Sequence, residues 1–270
     1  MPELPEVETI VRQLQPRLAG RRIVSLRIFD PKLETGKKNE LPGRRILTVT
    51  RLGKQVCLEL SGRNKQDRKL WLLFHLRMTG RLLIESCTAG QNEKHLRARM
   101  ALDRGSLLFY DMRRFGRILV LDSAQEALPG GIDPLSGRFT SRKLAELSAG
   151  SSQEIKPWLL RQDRLVGLGN IYASEILFAS GIDPRRQAGG LKDEELRRFH
   201  RQIRKILRLA IEKCGTTFSD FQDSRGRTGS FQRLLSVYGK AGQPCPECSR
   251  SIQRIVQQQR STFFCPACQK

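Results

Sequence analysis

No stretch of the chain approaches the roughly 20 apolar residues that span a bilayer, and arginine or lysine interrupts every hydrophobic run. The opening, MPELPEVET, lacks the basic start and the apolar run of about 7–15 residues that mark a secretory signal. It is expected to be part of the working protein, and the chain to be soluble and cytoplasmic. Seven cysteines make an odd count, and four of them form two Cys-x-x-Cys pairs, which argues against a secreted disulfide framework and for a reducing compartment. Neither an internal repeat nor a low-complexity tract is present. Acidic residues are scarce: 27 Asp+Glu face 49 Lys+Arg, a net charge of +22 with a pI near 10.5. This excess runs along the whole chain and points to a polyanion partner, nucleic acid ahead of an anionic membrane or an acidic protein.

At 270 residues the chain exceeds the usual domain size of about 100–200 residues, which favours two domains. From Glu6 to Ala19 the residues Val7, Ile10, Val11, Leu14 and Leu18 recur at helical spacing, and Gly20 supplies a stop. Pro5 suits a first helical turn and Pro16 is expected to kink the far end, while Glu3 and Glu6 lie where a helix start favours negative charge. Eight runs of strand character follow: RRIVSLRIF, RRILTVTRL, QVCLEL, KLWLLFHLRM, RLLIES, HLRARMALD, SLLFYDM and GRILVLD. Turn residues punctuate them, as in an antiparallel sandwich or barrel. LPGGIDPLSGRFTS and SAGSSQ then read as a boundary containing a short helix, and beyond them the pattern turns helical.

The appendix CPECSRSIQRIVQQQRSTFFCPAC carries Cys245 and Cys248, then Cys265 and Cys268, with sixteen residues between the pairs. This spacing matches a structural zinc site, with a hairpin between the pairs pinned by the metal. A redox pair or two local disulfides is the competing reading. Cys57, Cys87 and Cys214 stand singly in apolar or helical stretches and read as buried thiols rather than nucleophiles.

In DRLVGLGNIYASEILFASGIDP, Gly167 and Gly169 precede a helix opening at Asn170. Glycines permit close backbone approach, and free amides at a helix start attract phosphate. Asn170 is expected to cap this helix and offer its amide to a phosphate oxygen. HLRMTG and DMRRFG each set an apolar side chain, Met78 or Phe115, beside basic ones such as Arg113. At loop tips these side chains could wedge into a base stack; the alternative is core packing. His95, in EKHLRAR, suits a structural role or a phosphate contact better than a proton shuttle.

Taken in order, MPELPEVET, the lysine of RLGKQVCLEL, HLRMTG, RRFG, IKPWL, GNIYASE and QRSTFFCPAC resemble the formamidopyrimidine-DNA glycosylase family over essentially the whole chain. The resemblance implies an α+β multidomain protein. Its parts would be an N-terminal catalytic β-sandwich with a leading helix over residues 1–128, a linker over 129–152, a helical DNA-binding domain with a helix–two-turn–helix over 153–235, and a zinc finger over 236–270. It further implies one structural zinc ion, double-stranded DNA with oxidised or abasic sites as partner, monomeric action and association with the nucleoid. The implied activity is excision of oxidised purines followed by abasic-site cleavage.

With Met1 removed, Pro2 would present a secondary amine. A free α-amine is about a quarter neutral at physiological pH, against roughly one part in a thousand for an ordinary lysine, so Pro2 is the ready nucleophile. By resemblance Glu3 is the general acid, Lys54 the β-elimination residue and Arg260 the δ-elimination residue, with Glu6 left mainly to the helix. Met78, Arg113 and Phe115 match void-filling residues; Lys156 and Asn170 match phosphate or lesion-side contacts. DSRGRTGSFQ corresponds to a loop near the flipped base. Ser151 and Ser152 replace a common basic residue, and Met112 a common proline. The alternatives are an endonuclease VIII-like enzyme for oxidised pyrimidines, disfavoured by Leu4 and RRFG, and a zinc-dependent nucleic-acid-binding protein without catalysis.

Overall fold

The computed structural model describes every residue except 1, 34, 65, 88–91, 128–129, 217–223 and 225–228. The chain divides into two compact units: Met1–Leu128 with Lys213–Gln232, and Pro129–Glu212 with Arg233–Lys270.

In the first unit, helix α1 (Leu4–Leu18) is followed by eight antiparallel strands: β1 (Ile23–Ile28), β2 (Ile46–Leu52), β3 (Gln55–Leu60), β4 (Leu70–His75), β5 (Gly80–Ile84), β6 (Leu96–Leu102), β7 (Ser106–Asp111) and β8 (Arg117–Leu121). They form two four-stranded sheets, β1-β6-β7-β5 and β2-β3-β4-β8, so each of the eight apolar runs is a strand of the sandwich. Val7, Ile10, Leu14 and Leu18 of α1 join Ile46, Val56, Leu72, Leu82, Met100 and Phe109 in one core. A fully buried side chain of this kind stabilises by about 1.5–3 kcal/mol, which explains why α1 is held against β2 and β3. Strand β7 is buried along its whole length because its outer residues Leu108 and Tyr110 pack with Leu83 in a second cluster. The helix runs on through Pro16 for two further residues, and Ala19 N still reaches Gln15 O at 3.0 Å.

The second unit holds α2 (Ser141–Ser148), α3 (Ile155–Leu159), α4 (Asn170–Ser180), α5 (Asp193–Glu212) and the hairpin β9 (Gln253–Gln257) with β10 (Arg260–Phe264). Its contacts reach back into the Gly/Pro-rich stretch before α2, where the carbonyls of Ser136 and Phe139 accept from Arg204 and His200 at 2.9 and 3.0 Å. Gly181 ends α4 in the left-handed region at φ +65°, a conformation glycine adopts without penalty. Residues 213–232, which the linear division assigns to the helical domain, belong to the first unit.

Candidate functional site

Pro2 and Glu3 lie immediately before α1, and both are buried; Glu3 is 3% exposed. The Glu3 N–H donates to Glu6 Oε2 at 2.8 Å, closing the first turn. Glu6 also has a second partner that helix logic does not foresee. Its Oε1 accepts from Thr216 N at 2.7 Å and from Thr216 Oγ1 at 3.1 Å. Gly215, at φ +75°, makes room for this carboxylate: a Cβ there would stand 2.6 Å from Glu6 Oε1. The start of α1 is thus tied to a segment more than two hundred residues away. Residues 223 and 225–228 of the loop 223–232 lie outside the described residues.

Lys54 occupies the two-residue turn between β2 and β3, after Gly53 at φ +60°. Glycine first is the preference of a tight hairpin turn whose twist matches the strands. His75, at the end of β4, accepts from Arg77 N on Nδ1 at 3.1 Å. Burial, with the positive charges of Arg77, Lys54 and Arg117, pushes its pKa down to about 4, so the imidazole is neutral at pH 7. Sequence reasoning quoted His75 within HLRMTG and gave it no role. His95 ends a short 3-10 turn, Glu93–His95, with Nδ1 buried and without a hydrogen bond among the described residues.

Met78 and Phe115 are on loops, 44% and 50% exposed, and not in the core. Arg113 stacks over the Phe115 ring at 4.8 Å. The frame of this loop comes from two acids that sequence reasoning missed. Asp111, fully buried, accepts from Thr79 Oγ1, from Arg113 N at 3.2 Å and from Gly116 N at 2.7 Å. Asp30 takes both arms of Arg114, at 2.7 Å each, which holds Arg114 at φ +59°. The same guanidinium pulls the Asp30 carboxyl down to about 2. Both acids thus brace this loop, and Met112 at its start is exposed.

In the second unit Lys156 is fully buried. Its Nζ donates to Asn170 Oδ1 at 2.6 Å, Thr262 Oγ1 at 2.8 Å and the Ser261 carbonyl at 3.0 Å. Asn170 Nδ2 donates to the same carbonyl at 2.9 Å. Asn170 is the first residue of α4, and Gly169 takes the cap position, contrary to the expectation that Asn170 caps the helix. Its side chain faces Lys156 and β10 instead, because a buried ammonium demands acceptors more strongly than an exposed helix start does. Arg260 opens β10 next to this anchored Ser261 and is exposed. Gln258 and Gln259, at φ +45° and +60°, make the turn before it. Glu175, an acid inside the apolar helix α4, accepts from the backbone N–H groups of Ser236, Val237 and Tyr238 at 2.7, 2.9 and 2.8 Å. It fastens α4 to the segment leading into the hairpin; an acid amid apolar helical residues was the signal in the sequence.

The four sulfurs of Cys245, Cys248, Cys265 and Cys268 lie within 4.8 Å of one another. Cys245 to Cys268 is 3.9 Å and Cys248 to Cys265 is 3.5 Å. Tetrahedral zinc with sulfur at about 2.3 Å places its ligands about 3.8 Å apart, so the cluster fits the ion and all four thiols are free for it. Cys57 is buried, and burial pushes its thiol up to about 11, which removes it as a nucleophile. Cys214 differs from expectation: it is half-buried, at φ +59° in the turn after α5. The side chain of Cys87 lies outside the described residues.

Three family descriptions match in order: the formamidopyrimidine-DNA glycosylase N-terminal domain over residues 1–118, the H2TH domain of the same glycosylase over 131–222, and the zinc finger found in FPG and IleRS over 242–270. A formamidopyrimidine-DNA glycosylase of Chloroflexus aurantiacus is 40% identical over 100% of this chain and 98% of its own. This chain belongs to the formamidopyrimidine-DNA glycosylase family. The crystal structure of MutM (FPG) from Thermus thermophilus superposes with a TM-score of 0.88 at 37% identity, covering 99% of this chain and 98% of the other. A Lactococcus lactis FPG mutant in complex with a Fapy-dG containing DNA gives 0.87 at 35%, covering 100% of both. Within this family the β-sandwich, the helical H2TH domain and the zinc-finger hairpin are the fold observed here, and the four cysteines are its structural zinc site.

Proposed function

We propose that this chain is a base-excision DNA repair glycosylase that flips out and excises oxidised purines, 8-oxoguanine and formamidopyrimidines, and then cleaves the abasic site by β,δ-elimination. The observation that carries the proposal is the full-length match to formamidopyrimidine-DNA glycosylases. A similar Lactococcus protein binds a Fapy-dG containing DNA, and that lesion class is carried over here.

A base inside a duplex is out of reach, so the nucleotide must leave the stack. Met78 and Phe115 fill the void, with Arg113 on the opposite strand; their exposure on braced loops suits a wedge. Pro2, its amine freed by loss of Met1, attacks C1′ of the sugar while Glu3 protonates the opened sugar or the leaving base. The C1′–base bond breaks and the C1′–N bond forms, leaving a cationic iminium that acidifies the C2′ proton. Loss of that proton expels the 3′ phosphate, and a second elimination expels the 5′ phosphate. Lys54 assists the first elimination and holds phosphate; Arg260, which hardly deprotonates, stabilises phosphate charge in the second. Asn170 and His95 contact phosphate. Buried Lys156 supports this by fixing Asn170 and the strand that carries Arg260. Four thiolates complete the metal's shell, so the zinc supplies folding rather than catalysis. The enzyme acts as a monomer.

Borohydride reduction in the presence of 8-oxoguanine:C duplex should trap a covalent protein–DNA adduct with fully processed protein, and blocking the Pro2 amine should abolish adduct and strand cleavage together. No adduct would overturn the Schiff-base route. Faster excision of thymine glycol than of 8-oxoguanine would overturn the purine assignment.

A further inference from the structure

Leu196, Phe199, Ile203, Leu207, Ala210 and Ile211 form the buried face of α5. Between Leu196 and Ile211 the helix also carries Arg197, Arg198, Arg201, Arg204, Lys205 and Arg208, and no acid; Asp193, Glu194, Glu195 and Glu212 stand at its ends. Two of these cations have internal work: Arg198 donates to Ser180 O at 2.8 Å and Arg204 to Ser136 O at 2.9 Å. Arg197, Arg201, Lys205 and Arg208 are exposed. Among the described residues their side chains make no hydrogen bond or ion pair.

Their spacing of four, four and three residues sets them on one stripe about 16 Å long, on the side of α5 turned away from its buried face. A solvated helix face ordinarily interleaves signs, since like charges three or four residues apart repel. The helix dipole favours cations in the last turn, and none of the four stands there. Asp193 and Glu212 stand one turn beyond Arg197 and Arg208 on the same row, which leaves Arg201 and Lys205 with no acid within a turn, and such a stripe suits a partner of dense, regular negative charge. Duplex DNA, with one charge per about 1.7 Å of axis, supplies it along the whole length of the stripe.

We propose that this face of α5 is a second duplex-binding surface, separate from the residues that address the lesion, which takes the phosphate backbone of another, undamaged DNA segment. The substrate is itself a polymer, so such a segment is always near. The stripe would keep the enzyme on DNA while the lesion site changes its hold.

The test uses the full chain saturated with a short duplex carrying a tetrahydrofuran abasic analogue, so that the lesion site is filled. A fluorescent undamaged duplex is then titrated and its anisotropy followed between about 50 and 200 mM salt. The wild type should bind this second duplex with a log–log salt slope of about −3.6, from four phosphates neutralised. Replacing Arg197, Arg201, Lys205 and Arg208 by Gln should weaken the second duplex at least tenfold and leave the first within twofold. If that variant folds poorly, R201Q/K205Q should halve the slope. Four Gln substitutions elsewhere, at Arg17, Arg27, Arg104 and Arg138, should leave second-duplex binding within twofold. The proposal is overturned by no ternary complex with the wild type, by wild-type binding in the stripe variant, or by an equal loss in the control.

Discussion

The two regions that carry the proposed chemistry are held by different means. In the N-terminal unit, Pro2 and Glu3 stand on a helix whose inner face is set in a core of both sheets. The hairpin that carries Arg260 has a far smaller apolar cluster, Phe178, Val237, Cys245, Ile252 and Cys265, two of whose members are metal ligands. A core holds a helix through many small contacts, each individually replaceable. A metal holds a hairpin of two short strands through four bonds, none of which is.

Removing the metal should therefore have the largest effect. Apparent metal binding contributes about 10–16 kcal/mol in small zinc modules. Chelation, or Cys248→Ser, should erase hydrogen-exchange protection over residues 253–264 and weaken DNA binding, while protection in β3, β4 and β7 persists. Loss of protection in the sandwich as well would break the contrast. Next in size is the core itself. Leu14→Ala, at a fully buried site, should cost about 2–5 kcal/mol by urea denaturation of the N-terminal unit and leave zinc content unchanged.

Two acid-sensitive groups sharpen the picture on the first unit. His75 titrates at about 4 in the fold against an ordinary 6.5, so the unfolded chain binds its proton first. The stability it lends is complete above about 6.5 and is lost as pH falls from there to about 4. His75→Gln should flatten urea-derived stability across that window. Smallest is Asp30, whose carboxyl lies at about 2 against 3.8. Its contribution is complete above about 3.8 and fades as pH falls through about 2, and Asp30→Asn should remove that acid dependence. An unchanged profile in Asp30→Asn would show that Arg114 needs no partner to hold its loop.

Much of this was legible before folding. The eight strands were readable because apolar runs and turn residues alternate at regular spacing. The zinc site was readable because its ligands come as two short-range pairs. The buried acids were not: Asp30 meets Arg114, and Glu6 meets Thr216, across 84 and 210 positions, and no local pattern announces such pairs. Asn170 was misread for a related reason. Asn next to a helix start has an obvious local use, and the ammonium of Lys156, fourteen residues earlier, outcompetes it.

By itself, then, the sequence determined the secondary elements, the metal ligands, the strong positive charge and, through its ordered motifs, the family. These rest on short-range spacing and on residue chemistry, which survive in a linear string. The tertiary structure decided which acids brace the wedge loop, that Lys156 is an internal strut, and that Glu6 ties the first turn of the chain to Thr216. Those choices follow from the cost of burying polar and charged groups: each one inside must find a hydrogen-bond partner, and only the closed fold determines which is within reach.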